Sequence, residues 1–260
     1  MLSKNRVKYV RSLEMKKFRK ADGVFVAEGH KLVGDLLDVF SCTYLAATAD
    51  WLSQHASWVQ RQGGVEIDEV TDEELRRLSF QETPQQVLAV FRQPTYAVDV
   101  NEVAKRELCL VLDDVQNPGN LGTIVRLADW FGIEHIFCSR GCADIYNPKT
   151  VQATMGGIAR VKTHYVNLPE MLSRLDKDIP IYGTFLDGEN MYQKPLDPRG
   201  LIVMGNEGKG VSDAVEAFVT ERLYIPNYPA GRETSESLNV AIATAIVCAE
   251  FRRRCWHAVE

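Results

Sequence analysis

From Leu108 the chain reads Leu108-Cys109-Leu110-Val111-Leu112 and then Asp113-Asp114. Five apolar residues in succession leave no face for solvent, so a strand made from them must be covered on both sides. Further apolar runs follow at 135–138, 179–182, 201–204 and 223–225. Between them lie segments of helical spacing at 121–131, 148–155, 168–175, 212–218 and 237–254. Strands alternating with helices over short connections predict an α/β fold, a doubly wound parallel sheet with helices on both faces.

The first part of the chain also alternates, on a smaller scale. Strands are expected at 24–27, 43–47, 65–67 and 87–91, and helices at 31–40 and 50–62, the latter closed by Gly63-Gly64. Thr71 with Glu74 three residues on has the pattern of a capping box. The stretch 93–107 is polar and broken by proline, and reads as a linker. The expected division is therefore a small α/β domain at 1–92, a linker at 93–107, and the larger domain at 108–260.

With 45% hydrophobic and 25% charged residues among 260, the chain has ample apolar mass for one or two globular cores. No apolar run approaches the roughly 20 residues of a membrane span, and no apolar stretch follows the first charges as a secretory signal requires. The six cysteines contain no C-x-x-C pair and the five histidines are scattered. That excludes the common metal motifs and favours reduced thiols in the cytoplasm. Net charge is −5, yet residues 1–20 carry Lys4, Arg6, Lys8, Arg11, Lys16, Lys17, Arg19 and Lys20 against Glu14 alone. A basic arm on an acidic body suits local docking of a phosphate backbone; a solvated helix face has the same composition.

Three polar, glycine-bearing segments punctuate the larger domain. The first runs Asn117-Pro118-Gly119-Asn120-Leu121-Gly122 and reaches Arg126. If Gly122 starts the helix, Arg126 lies about one turn in. Asn120 and Arg126 then either hold an RNA phosphate and ribose or are a capping asparagine and a surface arginine. The second, Met204-Gly205-Asn206-Glu207-Gly208-Lys209-Gly210, follows a strand. Its G-x-x-G-x-G order is not the dinucleotide fingerprint, and Gly210 stands where a phosphate-binding P-loop needs Ser or Thr. Its glycines let backbone approach a nucleoside closely. The third, Ser237-Leu238-Asn239, opens the last helix after Ile225-Pro226 and a polar loop. Ser237 and Asn239 also fit plain N-capping, and Arg252, Arg253 and Arg254 fit the negative end of that helix.

Taken together and in this order, the three segments resemble the motifs of the SpoU (TrmH-like) branch of the SPOUT RNA methyltransferases. The first domain, through its basic start and Phe25-Val26-Ala27-Glu28-Gly29-His30-Lys31, resembles the L30e-like RNA-binding domain of the rRNA-modifying members. The resemblance implies a deep trefoil knot and a homodimer. It implies S-adenosylmethionine as cofactor, held by Met204, Gly205, Asn206, Gly208, Ile225 and Leu238. The implied catalytic set is Asn120, Arg126, Glu207, Ser237 and Asn239, and the implied reaction is methylation of a ribose 2′-hydroxyl in structured RNA, foremost 23S-type rRNA. The basic residues of 1–20 would hold that RNA, with no membrane and no metal involved. The chain departs from the family at 227–236, where a longer loop carries Arg232. A tRNA ribose methyltransferase and a non-catalytic RNA-binding or assembly factor are the competing readings. A nucleotide-dependent oxidoreductase or NTPase is disfavoured by the two motif failures.

Overall fold

A computed structural model describes residues 2–61, 63–229, 232 and 237–256, with only the backbone of residue 256. The chain begins with helices α1 (Lys4–Ser12) and α2 (Lys16–Asp22). There follow β1 (Val24–Glu28), α3 (His30–Leu37), β2 (Cys42–Ala47), α4 (Ala49–Gln54), α5 (Ala56–Arg61), β3 (Glu66–Glu69), α6 (Asp72–Leu78) and β4 (Val87–Arg92). Next come α7 (Val100–Ala104), β5 (Leu108–Leu112), α8 (Pro118–Trp130), β6 (His135–Ser139), α9 (Pro148–Ala153), β7 (Lys162–Val166) and α10 (Leu168–Leu172). The chain continues through β8 (Ile181–Asn190), β9 (Gly200–Met204), α11 (Asp213–Glu216), β10 (Glu221–Tyr224) and α12 (Val240–Trp256).

These elements form two compact units, residues 1–95 with 144–159, and residues 96–143 with 160–260. The first unit carries a four-stranded sheet in the order β1-β4-β2-β3. Val10, Leu13, Val26, Tyr44, Leu75, Leu78 and Val90 pack on one another in its core. The capping box at Thr71 is formed in full. The helix expected at 50–62 is instead two short ones, because the chain turns at His55, whose ring stacks on Trp51 at 3.9 Å. The segment 144–159 belongs to this unit although it lies far along the chain. Tyr146 meets the Phe25 ring at 5.1 Å, Gln81 donates to Gln152, and Asp144 pairs with Arg19 at 2.6 Å.

The second unit is a six-stranded, wholly parallel sheet in the order β10-β8-β9-β5-β6-β7. All five residues of β5 and of β9 are buried, as continuous apolar strands in the middle of such a sheet must be. Leu112 is in register with Met204 on one side and Cys138 on the other, so three strands end in line. The sheet has one strand more than the apolar runs predict. β7 (Lys-Thr-His-Tyr-Val) is an edge strand with a mixed burial pattern, and its polar residues disguise it. The stretch expected to be a linker instead holds the short helix α7, started by an Asp99 cap, and from residue 96 on it belongs to the second unit. All six cysteines are free.

Candidate active site

Three of the catalytic candidates, Asn120, Glu207 and Asn239, meet near the carboxyl ends of the parallel strands, where open α/β sheets place ligands. After β5, Asn117 caps α8: its side-chain oxygen accepts from the amides of Gly119 at 2.8 Å and Asn120 at 3.1 Å. Pro118 occupies the first helical position, where no amide is needed. This corrects the expected start at Gly122. Asn120 lies in the first turn, and Arg126, exposed, lies a little over two turns into the helix. The helix cap is Asn117, which leaves the Asn120 side chain available for other partners.

After β9 the chain makes a tight turn built around Asn206. Its backbone exchanges two hydrogen bonds of 2.9 Å with Gly210. Its side-chain oxygen accepts from Gly208 and Lys209, and its side-chain nitrogen donates to the Asp114 carbonyl at 2.8 Å. A Cβ on Gly205 would lie 2.2 Å from the Gly210 carbonyl carbon, so glycine is obligatory there. Asp113, buried at the end of β5, accepts from the Ser212 amide and hydroxyl at 2.9 and 2.6 Å and pins the far end of the turn. Within the turn, Glu207 is held half-buried.

The third segment starts α12 at Val240, with Asn239 as the cap; its oxygen accepts from Ala241 at 3.0 Å. Ser237 and Leu238 precede the helix and are exposed, and Ser237 makes no hydrogen bond among the described residues.

One line of side-chain hydrogen bonds joins the three segments. Asn239 Nδ2 donates to Asn120 Oδ1 at 3.1 Å, and Asn120 Nδ2 donates to Glu207 Oε1 at 2.5 Å. With both ends of its amide engaged, Asn120 has a fixed orientation. The amide of Asn239 is committed to the helix cap and to Asn120, which makes it an orienting group in this arrangement. Met204 is buried at the end of β9 and Ile225 is half-buried just beyond β10. The loop residues 230, 231 and 233–236 lie outside the described residues.

The arginines that close α12 have structural partners. Arg252 donates to the carbonyls of Phe131 and Gly132 at the end of α8, at 2.7 and 3.0 Å. Arg253 and Arg254 both bind the buried Glu250.

In the first unit the basic arm divides by residue type. Lys4, Lys8, Lys16, Lys17 and Lys20 are exposed. Arg19 is only 1% exposed and donates to the carbonyls of Leu13 and Glu14 as well as to Asp144, so it is withdrawn from the RNA-contact set. Arg6 pairs with Glu66 over the Tyr44 ring, and Arg11 binds the Ser79 carbonyl over the Phe80 ring. A cavity of about 870 Å³ in this unit, bordered by Asp50, Glu69, Asp72 and Glu74, is acidic and holds none of the site candidates. Among the described residues no three His, Cys, Asp or Glu side chains are placed to hold a metal, and no helix is long and apolar enough to cross a membrane.

Comparison with known proteins shows the family. The SpoU rRNA Methylase family model matches residues 107–249, and the model of the MRM3-like substrate binding domain matches residues 4–89. The 23S rRNA (guanosine(2553)-2'-O)-methyltransferase RlmP of Bacillus subtilis is 30% identical over 95% of this chain and 96% of its own length. Among solved structures, a TrmH-family protein from Porphyromonas gingivalis is 44% identical, with a TM-score of 0.86 over 98% of this chain and 99% of that one. An AdoMet-bound rRNA methyltransferase from Sinorhizobium meliloti is 30% identical, with a TM-score of 0.85 over 98% and 96% of the two chains. By its three interlocked segments, its parallel sheet and these likenesses, the chain belongs to the SpoU rRNA methylase family.

Proposed function

We propose that the protein transfers a methyl group from S-adenosylmethionine to a ribose 2′-hydroxyl of rRNA, of the large-subunit (23S) type. The observation that carries this reading is the hydrogen-bonded line Glu207–Asn120–Asn239, which locks the three family segments together on the sheet's carboxyl edge. The relatives named above support the same reaction.

The backbone around Gly205 fits a nucleoside cofactor. Gly208, Lys209 and Gly210 are exposed, and two of the three present peptide groups with no side chain in front. Leu238, 46% exposed, offers apolar surface to an adenine ring. Met204, Gly205, Asn206, Gly208, Ile225 and Leu238 are the residues that would hold the group. When bound, S-adenosylmethionine supplies a methyl on a cationic sulfur with a good neutral leaving group.

The chain's own residues have three tasks. Among the described residues Glu207 Oε2 has no hydrogen-bond partner, which leaves it as an acceptor for the 2′-hydroxyl proton. The second amide hydrogen of Asn120 remains for a ribose oxygen. Arg126 stands six residues further along α8, about 9 Å in rise, and holds a phosphate while favouring negative charge on the attacking oxygen. A guanidinium does not give up its proton near neutral pH, so Arg126 acts as an electrostatic clamp. Ser237, exposed at the mouth of the third segment, is a further ribose contact.

The working form in this reading is a homodimer. Trp130, 83% exposed, lies one turn from Arg126 on α8, and Ile242, 54% exposed, lies on α12, which packs against α8. Apolar side chains so exposed on neighbouring helices suit burial by a second copy. The exposed lysines of residues 4–20 hold RNA; the first unit, which takes in residues 144–159 beyond the expected 1–92, serves as the substrate-binding domain, and the second unit, which takes in most of the expected linker 93–107, serves as the catalytic domain. No metal is required, because the donor already carries its activating charge. The rRNA substrate and six free thiols fit the cytoplasm.

The test is transfer of tritiated methyl from S-adenosylmethionine to large-subunit rRNA from cells lacking the gene. Arg126→Ala is expected to lose at least 100-fold in turnover and to bind the cofactor within threefold of wild type by calorimetry. Full turnover in that variant refutes the role of Arg126, and transfer to tRNA alone refutes the rRNA reading.

A further inference from the structure

The second unit contains eleven arginines. Eight are tied to protein oxygens: Arg106, Arg160, Arg174, Arg199 and Arg222 to carboxylates, and the three at the end of α12 as described. Among the described residues, only Arg126, Arg140 and Arg232 have side chains with no such partner. Arg126 belongs to the site, and Arg232 to the loop between β10 and α12. Arg140 follows β6.

The loop that carries Arg140 is rigidly seated. Ser139 Oγ accepts from the Asp114 amide at 2.9 Å, and the Ala143 amide donates to the Val115 carbonyl at 2.9 Å. Cys142 turns the loop through its amide, which donates to the Ser139 carbonyl at 3.1 Å, and its thiol donates to the Leu112 carbonyl. A Cβ on Gly141 would lie 2.1 Å from Asp114 Oδ1, so the two loops are in closest contact at that point. The Asp114 carboxylate binds Gln116 and forms no ion pair with Arg140. Asp114 is also the residue whose carbonyl receives the Asn206 side chain. The loops after β9, β5 and β6 are therefore fastened in a row at neighbouring strand ends about 5 Å apart. That row carries Glu207, Asn120 and Arg140 in turn.

A guanidinium left without a carboxylate, exposed, on a loop braced at both ends, is arranged for an external anion. We propose that Arg140 is an RNA-binding residue that grips a backbone phosphate beside the target nucleotide and sets the register of the strand over Glu207 and Asn120. The inference rests on the rRNA methyltransferase reading above.

The probe is protein-free large-subunit rRNA from cells lacking the gene, assayed by methyl transfer and by filter binding over a salt series. Arg140→Ala is expected to raise KM for this RNA about tenfold with kcat within twofold. Its plot of log affinity against log salt should be shallower by about 0.7–0.9, the contribution of one phosphate contact. Arg140→Lys should restore the slope but only part of the affinity, since it lacks the planar fork. Cofactor affinity and melting temperature should match wild type in both variants. Wild-type KM and salt slope in Arg140→Ala overturn the inference, as does a parallel loss of cofactor affinity. Wild-type protein that binds this RNA but transfers no methyl refutes the functional reading instead, and the binding slope still decides Arg140.

Discussion

Gly205→Ala is the most discriminating single change in the proposed cofactor turn. The added methyl would sit 2.2 Å from the Gly210 carbonyl carbon, 2.3 Å from the Val211 nitrogen and 2.5 Å from the Gly210 oxygen. These are backbone atoms, so no rotamer change relieves the contact. The turn must open by about 1 Å or more to reach ordinary van der Waals separation. Opening breaks the two 2.9 Å bonds between Asn206 and Gly210 and strains the three made by the Asn206 side chain. At about 1 kcal/mol for each lost bond, plus strain, the cost is about 2–4 kcal/mol. For a chain of this size that lowers Tm by about 5–15 °C. Glu207 moves with the turn and leaves Asn120. If the cost falls on the binding-competent state, affinity for S-adenosylmethionine drops about 30- to 1,000-fold. Calorimetric titration and thermal melts read both effects. Gly208→Ala is the internal control for the fold: its Cβ would meet only Asn206 Oδ1, at 3.6 Å, and its melt should lie within about 2 °C of wild type. A Gly205→Ala protein with wild-type Tm and cofactor affinity within threefold would refute the reasoning.

Other perturbations probe separate parts of the molecule. Arg19→Met leaves the half-buried Asp144 carboxylate without its ion pair, and denaturant unfolding should show a loss of about 2–4 kcal/mol; a loss below 1 kcal/mol would contradict the structural role. His135 and His164 share a 3.1 Å hydrogen bond between ring nitrogens, and burial pulls the His164 pKa down from 6.5 to about 4. The unfolded chain binds this proton more readily, so the contribution to stability is complete above pH 6.5 and is lost as pH falls towards 4, by about 3 kcal/mol at most. Melts of His164→Gln should be flatter over that window, and an unchanged profile would remove the pair from the account. Trp130→Glu should shift a dimer to monomer in sedimentation velocity at micromolar concentration, and an unshifted dimer would place the interface elsewhere.

Local rules made much of this readable in advance. The apolar runs of β5 and β9 could be nothing but central strands, and Thr71 with Glu74 announced its cap within four residues. The three family segments were legible as segments, but their mutual bonding was not, because Asn120 meets Glu207 across 87 positions and Asn239 across 119. Helical spacing alone puts the start of α8 four residues late, since Asn117-Pro118 also reads as a plain turn; the signal for the cap is an asparagine directly before a proline that opens a helix. β7 is hidden in the sequence because an edge strand needs no continuous apolar run. Arg19 looked like its basic neighbours because the carboxylate that buries it lies 125 residues away.

That partnership has a consequence for synthesis. The N-terminal unit includes residues 144–159, so ribosomal emergence of residue 95 does not complete it. At about 5–20 residues per second, the nascent chain waits about 3–13 s for the segment that neutralises Arg19 and covers Phe25. By then β5, α8 and β6 have already been made. The two units therefore cannot mature strictly one after the other, and anything that stalls translation between residues 95 and 159 would strand a half-built N-terminal unit with its cation unmatched.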